Sequence, residues 1–185
     1  MIMKEHIKNM LRRARSFLWF LRAYPWCVFH GVKYQKGVYI GRHVTKQRAV
    51  KLILSPYSRI AYNTLLWGDG TIKIGEHSSI GSCSRIFASK NGGVEIGDYT
   101  MSASHLYIID CDHGIEAGQY IMKQPMKQAK VTIGSDVWFG YNCTVLKGVN
   151  ISDGVVVGAC SLVTKSIPEN AVAGGVPAKV LKYRQ

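Results

Sequence analysis

From Ile133 onward an apolar residue returns at every sixth position: Ile133, Phe139, Val145, Ile151, Val157 and Val163. Four residues after each stands a small or aliphatic side chain, at Val137, Cys143, Val149, Val155, Ser161 and Ile167. Further hexads begin at Ile74, Ile80 and Ile86, and at Ile96, Ser102 and Ile108. A fainter set begins at Leu54, Ile60 and Leu66, with a two-residue adjustment before Ile74. An amphipathic helix repeats at about 3.6 residues and a strand at 2, so neither produces a period of six. Short strands with a turn at every sixth residue do. The aliphatic side chain then points inward, and the glycines that follow it at 75, 81, 97, 134, 140 and 158 are read as relieving the tight corner. Three hexads close one triangular coil. Stacked coils bury a continuous aliphatic column, and each coil touches mainly its neighbours.

Composition sets the bounds. A chain of 185 residues, 47% hydrophobic, suits one domain with a substantial core. No run approaches the roughly eighteen apolar residues of a membrane span, and the longest candidate, Phe17 to Leu21, ends at Arg22. The first thirty residues carry Lys4, Lys8, Arg12, Arg13, Arg15 and Arg22 against Glu5 alone, with no small-residue cleavage site, so they do not read as a secretory signal. Cysteines 27, 83, 111, 143 and 160 are odd in number and form no CxxC pair. Reduced thiols in a cytoplasmic protein are expected, rather than a disulfide framework or a zinc site.

The net charge of +13 is uneven. Residues 1 to 51 hold twelve Lys/Arg and one acid; residues 52 to 185 hold twelve and ten. The basic segment, residues 1–35, also spaces Ile7, Met10, Leu11, Phe17, Leu18 and Leu21 in a roughly helical manner. Two readings stand side by side: a helix in peripheral contact with anionic lipid at the inner face of the membrane, through residues 1–30, or a helix packed on the end of the main domain, residues 36–184. No recognition motif accompanies the charge, so no nucleic-acid partner is expected.

The stretch IGSDVWFGYNCTVLKGVNISDGVVVGACSLVTKSIPENAVAGGVPAKVLKYR, residues 133–184, resembles the C-terminal half of the hexapeptide-repeat acyltransferases. It is especially similar to the galactoside/maltose and xenobiotic acetyltransferase groups and their polysaccharide O-acetylating relatives. VWFG, VVVGACSLVTK and AGGVPAKV, in that order and spacing, carry the likeness, which spans roughly residues 72–184. It implies an all-β fold: a left-handed parallel β-helix with an extruded loop near 114–130, a short C-terminal helix and an N-terminal helical segment. It also implies a homotrimer with active sites between subunits, acetyl-CoA as cosubstrate, no metal, and a sugar or glycan acceptor.

The beat breaks after His113, where GIEAGQYIMKQPMKQAKVT keeps no hexad and contains Pro125. In the family a histidine at the start of such a loop is the general base, and the distance from the IGD at Ile96 to His113 is similar. The chemistry needs one: a sugar hydroxyl is a poor nucleophile, and imidazole titrates near neutrality. Asp110 and Asp112 are read either as orienting the imidazole or binding acceptor hydroxyls, or as hydrated turn residues. Cys111 lacks an obvious base and is not favoured as a nucleophile. The resemblance places Trp138, Gly140 and Tyr141 in the family's W-x-G-x position, where Tyr141 departs from the usual Ser or Ala. Trp138 is expected against the pantetheine arm or the acceptor. Cys83 falls near an acceptor-binding asparagine of the galactoside group and departs from it. Ala159, Thr164, Lys165, Gly175, Lys179 and Lys182 fall on the CoA-binding positions.

The leading expectation is therefore an acetyl-CoA-dependent O-acetyltransferase acting on a sugar hydroxyl in bacterial surface polysaccharide biosynthesis. A small soluble acceptor, such as an antibiotic or a free sugar, is the enzymatic alternative. Zinc carbonic anhydrases share the fold but usually need an H-x₄-H pair, and no two histidines here are five apart. A noncatalytic β-helix assembly surface is the third reading, against which the intact CoA-end motifs stand.

Overall fold

In the computed structural model the sixth-residue side chains stack into the three columns of a prism. On the first face Ile40, Ile60, Ile80, Ser102, Phe139, Val157 and Ala173 follow one another in parallel register. Leu66, Ile86, Ile108, Val145 and Val163 line the second. Leu54, Ile74, Ile96, Ile133, Ile151 and Ile167 line the third. Every apolar member is at most 5% exposed. The result is a parallel β-helix of about seven turns, adjacent strands lying about 4.8 Å apart. Residues 2–185 are described, but not the side chains of residues 2–4, 6–13, 15 and 16. The upstream basic and apolar side chains Lys4, Lys8, Arg12, Arg13, Arg15, Ile7, Met10 and Leu11 therefore lie outside the described set.

The second hexad position is also internal: Ser78, Ser84, Thr100, Val137, Cys143, Val155 and Ser161 are all buried. Where that position is polar, the hydroxyl bonds to backbone, as Ser78 Oγ does to Gly97 O at 2.6 Å and Thr100 Oγ1 to Gly134 O at 2.8 Å. A buried hydroxyl without such an acceptor would cost more than it returns. Ser102, the small member of the first column, is followed directly by Phe139, its largest, so the column keeps its volume across the exchange. The glycines act differently from expectation. Left-handed corners fall on His43, Asn63, Cys83, His105, Asn142 and Cys160, with φ between 55° and 64°. Glycine instead serves close approach between coils: a Cβ on Gly81 would lie 2.0 Å from Ala103 O, and one on Gly97 2.6 Å from Gly134 C.

Helix α1 spans Ile2–Phe29 and closes the first coil. Ala23 and Cys27 are fully buried there, Arg22 Nε donates to Ile40 O at 2.8 Å and Trp26 Nε1 to Val44 O at 3.0 Å. At the other end the expected short C-terminal helix is a strand, Lys179–Tyr183, antiparallel to Ala171–Gly174. Pro177 interrupts the run before it, and the Val-Leu-Lys-Tyr sequence suits an extended chain that satisfies the edge of the last coil. All strand-to-strand departures from the period occur at the corner between the second and third faces. Gly68 to Gly70, then Ser89 to Gly93, then the segment from 110 to 130 occupy that edge in successive coils.

Truncation of a column residue tests this packing. Ile108→Ala should lower unfolding free energy by about 2–5 kcal/mol in denaturant titrations, because the rigid strands around it cannot collapse into the space.

Candidate functional site

The coil opens immediately after the strand Tyr107–Ile109. Cys111–Asp112 pairs antiparallel with Lys127–Gln128 to make a short stalk, and the chain between them forms an arm. The stalk is closed at its base by Ala129 N donating to Asp110 O at 2.9 Å, and Val131 N to Gly93 O at 3.0 Å restarts the third face. Within the arm, buried Gln124 accepts from Glu116 N at 2.8 Å and donates to Glu116 O and Gln119 O at 2.9 and 3.1 Å. Gly114 makes room for that amide, since a Cβ there would stand 2.7 Å from Gln124 Oε1. His113 is the first residue beyond the stalk and is exposed. Beyond it the arm presents Ile115, Tyr120, Ile121 and Met122, all exposed.

Neither reading of Asp110 survives. It is fully buried; its carboxylate accepts from Ser89 N at 3.0 and 2.8 Å and Ser89 Oγ at 2.9 Å, and from Gly93 N at close range. Gly92 leaves it space, since a Cβ there would meet Asp110 Oδ2 at 2.3 Å. Asp110 thus ties the bulged corner of one coil to the root of the arm in the next, through carboxylate hydrogen bonds to Ser89 and Gly93. Asp112, by contrast, is exposed and pairs with Lys147 Nζ at 3.1 Å. Cys111 is buried, and burial pushes its thiol up to about 11, with Asp110, Asp112 and Asp69 adding in the same direction. A thiol so held is protonated at neutral pH and is no nucleophile.

The remaining candidates fall on two edges. Trp138, Gly140, Tyr141 and Ala159 adjoin one another around the corner between the first and second faces. Gly140 N donates to Val157 O at 2.8 Å, Cys160 N to Tyr141 O at 2.7 Å, and a Cβ on Gly140 would lie 2.5 Å from Ala159 N. Gly140 N–H is thus committed to the ladder. Trp138 and Tyr141 are exposed, and the Tyr141 ring lies 5.1 Å from that of His105. Cys83 belongs to this same edge, so one chain does not bring it beside His113. Gly175 O accepts from Leu162 N at 3.0 Å, and Lys179 and Lys182 stand on the terminal strand. Thr164 and Lys165, both exposed, continue the other edge, the one that carries the arm. The register Thr144–Leu162 and Val145–Val163 sets Lys147 one coil above Lys165 there.

Sequence reasoning missed Lys147, Ser89, Gln124 and His105. Lys147 lies thirty-five positions after its partner Asp112, and only the closed coil brings the two together. Among the described residues no group of three His, Cys, Asp or Glu is placed to hold a metal ion.

No protein-family model matches the chain. Curated relatives do. WbbJ of Escherichia coli (strain K12), provisionally named a lipopolysaccharide biosynthesis O-acetyl transferase, is 36% identical over 151 residues, 66% of this chain and 77% of WbbJ. WcaF of the same strain, provisionally named a colanic acid biosynthesis acetyltransferase, is 33% identical over 176 residues, 95% of this chain and 78% of WcaF. Among solved structures, a hexapeptide-repeat acetyltransferase of Vibrio cholerae O1 biovar eltor, complexed with acetyl coenzyme A, superposes with a TM-score of 0.56 at 22% identity, covering 80% of this chain and 70% of that one.

Asp110→Ala should cost about 3 kcal/mol of stability in denaturant titrations, since it orphans buried donors. Asp112→Ala, which loses an exposed pair, should cost under about 1 kcal/mol. Cys27, like Cys111, is raised by burial from 9.0 to about 11. A thiol more basic when folded favours the fold fully below pH 9.0, and that contribution is lost as pH rises through about 11. The thermal midpoint should therefore fall between these values, and iodoacetamide at pH 8 should label exposed Cys160 well before either buried thiol, as peptide mass mapping would read.

Proposed function

The chain belongs to the hexapeptide-repeat acyltransferases, and from that premise we propose that it transfers an acetyl group from acetyl-CoA to a sugar hydroxyl during bacterial surface polysaccharide synthesis, with His113 as general base. The observation that carries the reading is an exposed imidazole at the root of the arm, on the same edge as Lys147 and Lys165. The acceptor oxygen attacks the thioester carbonyl while the imidazole takes its proton; the C–O bond forms, the C–S bond breaks, and the proton passes to the departing thiolate. Lysines further along the edge suit the phosphates of the cosubstrate, and exposed Trp138 and Tyr141 offer flat apolar surface to pantetheine or acceptor. The long WcaF and WbbJ alignments favour a glycan acceptor over a small soluble one.

A homotrimer completes the proposal. Outward on the second face, Leu65, Trp67, Phe87, Tyr107 and Ile109 are apolar or aromatic and only partly exposed, with exposed Arg85 among them. An arm tipped with Ile121 and Met122 likewise calls for a neighbour to cover it. In such an assembly the two edges that one chain keeps apart, His113 on one and Trp138 with Tyr141 on the other, meet between subunits.

Thiol release from acetyl-CoA, followed with a panel of sugars and lipid-linked glycans, tests the assignment. His113→Ala should leave the denaturation midpoint unchanged and lower kcat about 10²–10⁴-fold, the usual contribution of a general base. Equal turnover in the variant would overturn the role of His113.

A further inference from the structure

We propose that the outward side of α1, with the cationic pocket at its C-terminal end, is a docking surface for an anionic lipid bilayer. Ala23, Cys27, Arg22 and Trp26 fix one side of the helix on the first coil. The opposite side shows Phe17, Leu21, Tyr24 and Val28 at helical spacing, 60%, 51%, 46% and 62% exposed, and Phe29 beyond them is 86% exposed. An apolar stripe this long on a helix whose other side is already packed needs a second covering. Val28 and Phe29 also form the apolar wall of a pocket of about 730 Å³, whose other wall carries Lys46, Arg48 and Lys51. Hydrocarbon contact and phosphate-seeking cations therefore meet at one place.

Charge decides what covers the stripe. Residues 1 to 51 hold twelve Lys/Arg and one acid, Glu5. Helices of a second and third copy laid on this stripe would bring like charges together with almost no carboxylates to pair them, whereas interhelical contacts are selected by opposite charges beside the apolar seam. Anionic headgroups supply the missing sign. Among the described residues no helix is long and apolar enough to cross a membrane, so α1 would lie along the interface, stripe inward. Headgroup phosphates would then enter the Lys46, Arg48 and Lys51 pocket while acyl chains meet Phe17, Leu21 and Val28. The inference rests on α1 and the first coil and does not depend on the acetyl-transfer reading.

Co-sedimentation of the full chain with vesicles tests it. One set is phosphatidylcholine alone; the other is phosphatidylcholine and phosphatidylglycerol in equal parts. Binding to the anionic set should be roughly tenfold stronger or more, since each cation at the surface adds its own increment. The preference should fade as salt rises from about 0.1 M to about 1 M, where the Debye length falls from about 10 to about 3 Å. Leu21→Glu with Val28→Glu should abolish binding, and Lys46→Glu with Arg48→Glu should remove the anionic preference. All four positions lie outside the buried core, and circular dichroism would verify folding of both variants. Equal binding to the two vesicle sets overturns the proposal. So does a stripe variant that changes the number of subunits in vesicle-free buffer, because a second copy would then be the covering.

Discussion

A parallel β-helix rests on one requirement: each coil must return its chain to the same place, within hydrogen-bonding distance of the coil before. Glycine makes that distance reachable at Gly81 and Gly97, where a single Cβ would strike the backbone of the next coil. The requirement leaves few places for anything that is not repeat. A residue added inside a face would turn its column outward, since side chains alternate along a strand. Residues added at a corner leave the faces intact. The chain uses one corner for this, four times over, and the fourth addition is the arm. Val94 still pairs with Val131 and Ile96 with Ile133 across it, so the coil resumes as though nothing had been inserted.

An opening in the coil exposes backbone that the ladder would otherwise satisfy, and Asp110 answers that. A carboxylate taken wholly out of water is costly unless donors surround it. Here two backbone N–H groups and a hydroxyl do so, all from the Ser89 to Gly93 bulge of the preceding coil. The bulge and the arm are thus one construction: the first supplies the donors that make the buried charge tolerable, and the charge fixes the stalk from which His113 projects. The aspartate earns its position by holding the histidine's platform rather than by touching the histidine.

This also explains which parts were legible in the sequence. The columns were, because Ile133, Phe139, Val145 and their successors repeat without interruption and local spacing alone reports them. The place of His113 at the root of an extruded arm was, because it stands where the repeat stops. The two-residue adjustment before Ile74 was legible too, and it is the Gly68 to Gly70 corner. Asp110 was misread because its three donors lie about twenty residues upstream, one coil away, and no local pattern marks them. The Lys147 pairing was invisible for the same reason. The terminal strand was misread because a helix was carried over by resemblance, against the extended preference of Val180, Leu181 and Tyr183 and the open edge beside them.

Both ends of the prism are partly covered, and this bears on where partners can approach. A solenoid's first and last coils present unpaired strand edges that would otherwise recruit another chain end to end. At one end Arg22 and Trp26 occupy the carbonyls of Ile40 and Val44; at the other the strand Lys179–Tyr183 pairs back onto Ala171–Gly174. Stacking of coils between molecules is thereby made harder at these positions, while the sides carry the partly exposed aromatic residues of the second face and the arm. A lateral neighbour is what the proposed chemistry needs, since no single chain brings His113 to Trp138 and Tyr141. The partial cover of the ends and the opening of one corner then both point to the sides, and under the proposed function a cleft between prisms is where thioester and hydroxyl would meet.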